Sequence, residues 1–256
     1  MIGIYFSGTG NTKYCIEKFI SIYDKKISAI PLEEAELAIN EISSHDSLII
    51  AYPIYYSNLP KIVRDFIIDN SHIWNGKKIF IIATMSLFSG DGAGVSARIL
   101  KKYGATITGG LHIKMPDCIC DVKALKRSLM QNTKLVERAN NKLDIAARKL
   151  RNGKPAQEGL SFFSHLAGLF GQRLWFFNKT RSYSDKLKID KELCVRCGNC
   201  VMVCPMNNLS MPYEEPTVSN RCTMCYRCIN QCPQKAITLL GKKVITQYTV
   251  EDFLKK

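Results

Sequence analysis

Eight of the chain's eleven cysteines fall in one segment, as Cys194, Cys197, Cys200 and Cys204 and again as Cys222, Cys225, Cys228 and Cys232. Each group has the form C-x2-C-x2-C-x3-C followed by proline, Pro205 or Pro233, so one half-unit recurs 28 residues on. Three thiolates this closely spaced can cap three irons on one face of an iron–sulfur cubane, and the fourth iron then needs a sulfur from elsewhere. A zinc site would use four ligands in paired C-x2-C form, which a third cysteine and a C-x3-C-P tail do not match. Proline fixes φ and forces a turn just after the last cysteine of each run. Gly198 lets backbone approach sulfur closely.

A second constellation stands directly after the first apolar run, as Ser7-Gly8-Thr9-Gly10-Asn11-Thr12. Glycines there allow a nest of N–H groups, a helix N-terminus adds positive potential, and the hydroxyls supply further donors, so the chemistry is phosphate binding without a charged side chain. Neither the G-x-x-x-x-G-K-[ST] loop nor the G-x-G-x-x-G turn fits these glycines. Ligands of a doubly wound sheet sit at the carboxyl ends of its strands, and two more loops stand in such places. One is Pro53, Ile54, Tyr55, Tyr56, Ser57 and Asn58, whose aromatics suit a flat heterocycle. The other is Ser86, Leu87, Phe88, Ser89, Gly90, Asp91 and Gly92, long and glycine-rich enough to close over one. Gly92-Ala93-Gly94-Val95-Ser96-Ala97 spells a dinucleotide turn but stands several residues after its strand, and is set aside. Cys15, Cys118 and Cys120 read as small buried hydrophobes, with a redox or metal role for the Cys118–Cys120 pair as the alternative.

The elements that must position these residues alternate between apolar runs and helical patterns, which predicts βαβ units and a parallel sheet. Strands are expected at Ile2–Phe6, about Lys26–Ile30, Ser47–Tyr52, Lys78–Thr84 and about Ala105–Lys114, with helices near Thr12–Tyr23, Leu59–Asp69 and Gly94–Tyr103. A last helix is expected from about Val122 to Arg151, ending at Gly153 and Pro155. Between Gly159 and Asn178, Phe162, Leu166, Leu169, Phe170, Leu174 and Phe177 can share one helix face that packs between domains, or one that lies at a membrane interface.

The first loop is similar to the S/T-x-T-G-x-T phosphate loop of flavodoxins, matched at Ser7, Thr9, Gly10 and Thr12, and the segment Leu187 to Leu240 resembles a two-cluster bacterial ferredoxin. In this order the chain resembles the fused flavodoxin/ferredoxin proteins of anaerobic bacteria and archaea, the EFR1-type family. The resemblance implies an α/β flavodoxin-like domain over 1–152 with a doubly wound five-stranded parallel sheet that binds FMN. A linker with an aromatic helical segment over 153–185 and a small α+β two-cluster ferredoxin domain over 186–256 follow. It also implies an exchange of the fourth ligand, so that Cys194, Cys197, Cys200 and Cys232 hold one [4Fe–4S] cluster and Cys222, Cys225, Cys228 and Cys204 the other.

The net charge of +14 overstates the basicity. Two [4Fe–4S] clusters with four thiolates each remove roughly four units. An acidic redox partner, an anionic membrane surface or nucleic acid could use the excess between Lys123 and Lys188, and a solvated helix face explains it as well. Eight cysteines at ligand spacing and no export signal or spanning segment predict a cytoplasmic protein. Clusters move single electrons whereas a flavin exchanges one or two, so the expected function is electron transfer between clusters and FMN, with an oxidoreductase activity toward a partner protein or small molecule. The alternatives are a ferredoxin whose first domain serves only for docking, and a nucleic-acid-associated redox sensor. No catalytic acid, base or nucleophile stands out.

Overall fold

The computed structural model describes residues 1–170 and 186–254. Five strands, β1 (Ile2–Tyr5), β2 (Ala29–Pro31), β3 (Ser47–Pro53), β4 (Lys78–Met85) and β5 (Thr106–Lys114), form one parallel sheet in the order β2-β1-β3-β4-β5. The central strands read as nearly unbroken apolar runs because helices cover both faces of the sheet. Alternate residues go to opposite layers. Ile4, Ile50 and Ile81 enter one core with α2 (Ala35–Ser44), α3 (Lys61–Asp69) and α4 (Gly92–Lys102). Tyr5, Ile49 and Phe80 enter the other with α1 (Asn11–Tyr23) and α5 (Leu129–Arg151).

Three local expectations change. The second strand lies at Ala29–Pro31 rather than Lys26–Ile30, a three-residue edge strand paired only with Gly3–Tyr5. A helix the periodicity did not mark, α2, follows it and buries only Ala38 and Ile42. The last helix begins at Leu129, where Ser128 and Gln131 form a reciprocal capping box, and a 3₁₀ turn at Lys123–Leu125 takes the place of its expected first turns.

Beyond α5 the chain returns to the sheet. Gly110 N–H donates to the Ala156 carbonyl and Glu158 N–H to the Gly110 carbonyl, so the segment expected to begin a linker edges β5. Next, α6 (Phe162–Gly168) packs on α4. Phe162, Phe163 and Phe170 are exposed, unlike the interdomain packing expected for this segment, and Leu174 and Phe177 lie outside the described residues.

The cysteine-rich part contains β6 (Lys188–Ile189) paired antiparallel with β9 (Ile237–Thr238), and β7 (Leu209–Ser210) with β8 (Thr217–Val218). Two short helices, α7 (Asn199–Met202) and α8 (Arg227–Gln231), begin at equivalent repeat positions. The repeat extends to the backbone, for Arg196 and Met224, Gly198 and Tyr226, and Asn207 and Lys235 are left-handed in pairs 28 residues apart. After this unit the chain crosses back to the first domain, where Val250 and Phe253 are buried in the core beneath α1 and α5.

Candidate functional site

The site begins where β1 ends. Gly10 takes φ of 93°, which a side chain resists, and turns the chain into α1 at Asn11. Ser7 Oγ and Asn11 Oδ1 are buried without a hydrogen-bond partner. Buried polar atoms left unpaired are costly, so beside this helix N-terminus Ser7 Oγ fits as a donor to a phosphate, whereas Asn11 Oδ1, whose amide NH2 donates to the Pro116 carbonyl, fits as an acceptor for a hydroxyl. Thr12 Oγ1 instead meets Thr84 Oγ1 at 2.8 Å, tying the loop to the end of β4.

The loop forms one end of an open cleft of about 990 Å³, counting the space at its mouth, at the carboxyl edge of the sheet. Ser7, Gly8, Thr9, Asn11, Thr12, Pro53, Ile54, Tyr55, Tyr56, Ser86, Leu87 and Phe88 are among the residues that line it. Tyr55 and Asn58 exchange backbone hydrogen bonds of 3.1 and 3.0 Å across a tight turn whose central residues, Tyr56 and Ser57, both have positive φ. Burial pushes the Tyr55 phenol well above its ordinary value, so it stays neutral.

Gly10, Ser57, Asn58, Ser89, Gly90, Asp91 and Gly92 do not line the cleft. The third loop is shorter than expected because α4 starts at Gly92, and its polar residues are drawn backwards. Ser89 Oγ meets His112 Nδ1 at 3.1 Å, and the buried Asp91 pairs with Arg98 at 2.5 Å and His165 at 3.1 Å.

Sequence reasoning did not find two walls. One is the β5–α5 connection, Met115 to Ile119, whose only signal was the Cys118–Cys120 pair. Burial raises the Cys118 thiol well above its ordinary value and that of Cys120 to about 12, so both are neutral thiols. The other wall comes from the cysteine-rich part, as Met224, Tyr226, Leu239 and Leu240. No local pattern could announce them, since they meet the first domain across more than a hundred residues.

Asp121 holds this second wall in place. Its carboxylate accepts from the backbone N–H groups of Leu239, Leu240 and Gly241 at 2.8 to 2.9 Å and from the Tyr226 hydroxyl at 2.9 Å. A side chain at position 241 would collide with the Asp121 carbonyl, so glycine is required there. Burial pushes the Asp121 carboxyl up, but the three N–H donors and the phenol outweigh it and hold the carboxyl below its usual range. A second junction forms at the phosphate loop, where Gly8 is pressed against the Cys225 carbonyl. Arg227 donates to the Ser7 carbonyl at 2.7 Å and the Gly8 carbonyl at 3.3 Å and pairs with Glu33. Val250 N–H donates to the Thr9 carbonyl at 3.3 Å from the returning tail.

The eight cysteines gather as two sets. Cys194, Cys197, Cys200 and Cys232 line one apolar pocket, and Cys204, Cys222, Cys225 and Cys228 line another. Burial raises the Cys200 thiol, with Cys194, Cys232 and Cys197 adding to the rise, and it raises the Cys228 thiol with Cys225, Cys222, Cys204 and Cys200 adding. Four thiolates in so apolar a space require a compensating cation, which fits an iron–sulfur core. Among the described residues no group of three or more His, Cys, Asp or Glu could hold a single metal ion. The N–H groups of Asn208 and Ala236 donate to Cys204 Sγ and Cys232 Sγ at 3.3 Å each, equivalent contacts in the two repeats.

Comparison with known proteins follows the same division. Residues 2–144 match the flavodoxin domain, and residues 187–210 and 219–236 each match a 4Fe–4S binding domain. Pyruvate synthase subunit PorD of Methanothermobacter marburgensis is 34% identical over 67 residues, which cover 26% of this chain and 80% of that one. UacF of Escherichia coli (strain K12) is 28% identical over 74 residues, and these span 26% of this chain and 11% of that protein's length. The solution structure of two-electron reduced Megasphaera elsdenii flavodoxin superposes with a TM-score of 0.43 at 20% identity, over 58% of this chain and 99% of that one. Among the described residues no helix is long and apolar enough to cross a membrane. With residues 2–144, more than half of its length, matching the flavodoxin domain, the chain belongs to the flavodoxin family and joins to its flavodoxin domain two 4Fe–4S binding domains in a fused flavodoxin/ferredoxin arrangement.

Proposed function

We propose that this chain is a cytoplasmic iron–sulfur flavoprotein of the EFR1-type family, which passes electrons between two [4Fe–4S] clusters and an FMN seated in the cleft. The observation that carries the reading is the shared construction of the cleft, whose floor is the flavodoxin phosphate loop and whose roof is the cysteine-rich domain. A bound flavin would supply a centre that takes one or two electrons, set beside clusters that take one. Ser7, with the loop N–H groups, holds the phosphate end, Asn11 Oδ1 accepts from a ribityl hydroxyl, and Tyr55 and Tyr56 flank the ring. Leu239, Leu240 and Met224 exclude water from it. Cys194, Cys197, Cys200 and Cys232 hold one cluster, and Cys204, Cys222, Cys225 and Cys228 the other.

The net charge of +14 supports an acidic redox protein as partner, and an oxidoreductase activity toward a small acceptor or donor is consistent with the open mouth at Leu87 and Phe88. Anaerobic purification followed by flavin, iron and sulfide analysis tests the reading. One FMN with eight irons per chain, and flavin and cluster signals that equilibrate in a stepwise reductive titration, are the expected result. Eight irons without FMN uptake would leave a ferredoxin that uses its first domain for docking.

A further inference from the structure

The two cysteine sets are equivalent in spacing but not in place. Tyr226 and Leu239 line both the cleft and the pocket of the second set, so a wall one side chain thick separates the two spaces. The pocket of the first set shares no lining residue with the cleft. Cys225 is buried in the core of the flavodoxin domain itself, whereas Cys197 is exposed. Around the second set, Thr223 accepts from Ile62 N–H at 3.4 Å and Arg227 reaches the phosphate loop. Their counterparts in the first repeat turn elsewhere, for Val195 is exposed and Asn199 donates to Gln231 within the cysteine-rich domain.

Building on the function proposed above, we infer an order among the centres: Cys204, Cys222, Cys225 and Cys228 form the inner port, which exchanges electrons with the cleft. Cys194, Cys197, Cys200 and Cys232 form the outer port, which meets the external partner. Electron transfer slows steeply with distance, so the thin Tyr226–Leu239 wall decides which set serves the flavin. With clusters and FMN bound, a low-potential one-electron donor protein would supply the outer set, and two one-electron passages across the wall, with two protons from water at the cleft mouth, would balance a two-electron reduction of a flavin ring. The reverse flow balances in the same way.

Proton NMR of the oxidised, fully iron-loaded full-length protein tests this order, because the cysteine β-protons beside each cluster resonate far outside the diamagnetic range and can be assigned residue by residue. Spectra are compared with and without added FMN. The resonances of Cys204, Cys222, Cys225 and Cys228 are expected to shift while those of Cys194, Cys197, Cys200 and Cys232 stay. Shifts confined to the first set, or equal in both, or absent while FMN is bound stoichiometrically, overturn the order and leave the functional reading standing. Failure to take up FMN at all overturns both.

Discussion

The two halves of the cysteine repeat keep the same ligand spacing and the same left-handed backbone positions, yet they differ at every residue between the ligands. Position 198 is glycine and its counterpart 226 is tyrosine, although both are left-handed, at φ of 74° and 59°. Glycine takes that conformation freely, whereas a tyrosine there is strained and persists because its surroundings over-determine it. The surroundings are the Asp121 carboxylate and the cleft wall. Arg196 faces Glu215 at 3.4 Å within its own domain, whereas Met224 lines the cleft. The difference teaches that the duplication supplies two metal-binding frames, and that the residues between the ligands adapt one frame to solvent and the other to a protein surface.

Removing the anchor of the inner half should have the largest effect. Asp121→Ala strands the buried Leu239 N–H and the Tyr226 phenol, while the half-buried N–H groups of Leu240 and Gly241 can turn to water, and is expected to cost at least about 3 kcal/mol, since hydrogen bonds to charged groups are worth about 1.5–3 kcal/mol each. Urea denaturation of the iron-loaded protein measures this, and Glu215→Ala, which removes the exposed partner of Lys191 and Arg196, should leave the midpoint where it was. An unchanged midpoint in Asp121→Ala would show that the halves are anchored alike.

Arg227→Ala removes charged donors from the Ser7 and Gly8 carbonyls and leaves Glu33 without its partner. A loss of about 2 kcal/mol is expected in FMN affinity, roughly a thirtyfold rise in Kd by fluorescence titration. Asn199→Ala, its counterpart in the outer half, should leave the flavin Kd as it is.

Smaller again are the changes at the left-handed positions. Tyr226→Phe keeps the ring and loses one hydrogen bond to a carboxylate, at about 1.5 kcal/mol. Gly198→Ala meets no neighbouring atom, so it should cost only the backbone strain of about 1 kcal/mol. Equal denaturation midpoints for the two variants would blur the contrast between the halves.

The smallest expected effect is that of pH. The Asp121 carboxyl is held below its unfolded value of about 3.9, so its contribution to domain docking is complete above that pH and is lost as pH falls through the lower folded value. Domain separation followed by small-angle scattering under acid should therefore show a step that Asp121→Asn lacks.

Much of this arrangement is legible in the residues. The strands at Ile2, Ser47 and Lys78 are mainly apolar runs because both sheet faces are covered, and such runs carry their own signal. The edge strand Ala29–Pro31 and the helix Ala35–Ser44 are weakly marked, since one has three residues and the other buries only two. In the candidate site, Ser7 to Thr12 and Pro53 to Tyr56 are local loops tied to the ends of strands, which makes them readable. Ser89 to Gly92 read as cleft residues but turn away, drawn by His112, Arg98 and His165, partners that no local pattern reveals.

By itself the sequence determined the chemistry on offer, because ligand spacing, the backbone repeat and a glycine-bearing phosphate loop depend on neighbours within a few residues. Only the tertiary structure decided which cysteine set stands behind the cleft wall, that Asp121 anchors it, and that the tail at Val250 returns to the phosphate loop. These are contacts between residues more than a hundred positions apart. Two repeats with identical ligand spacing offer the same metal chemistry, so only packing against the flavodoxin domain makes one of them the inner half.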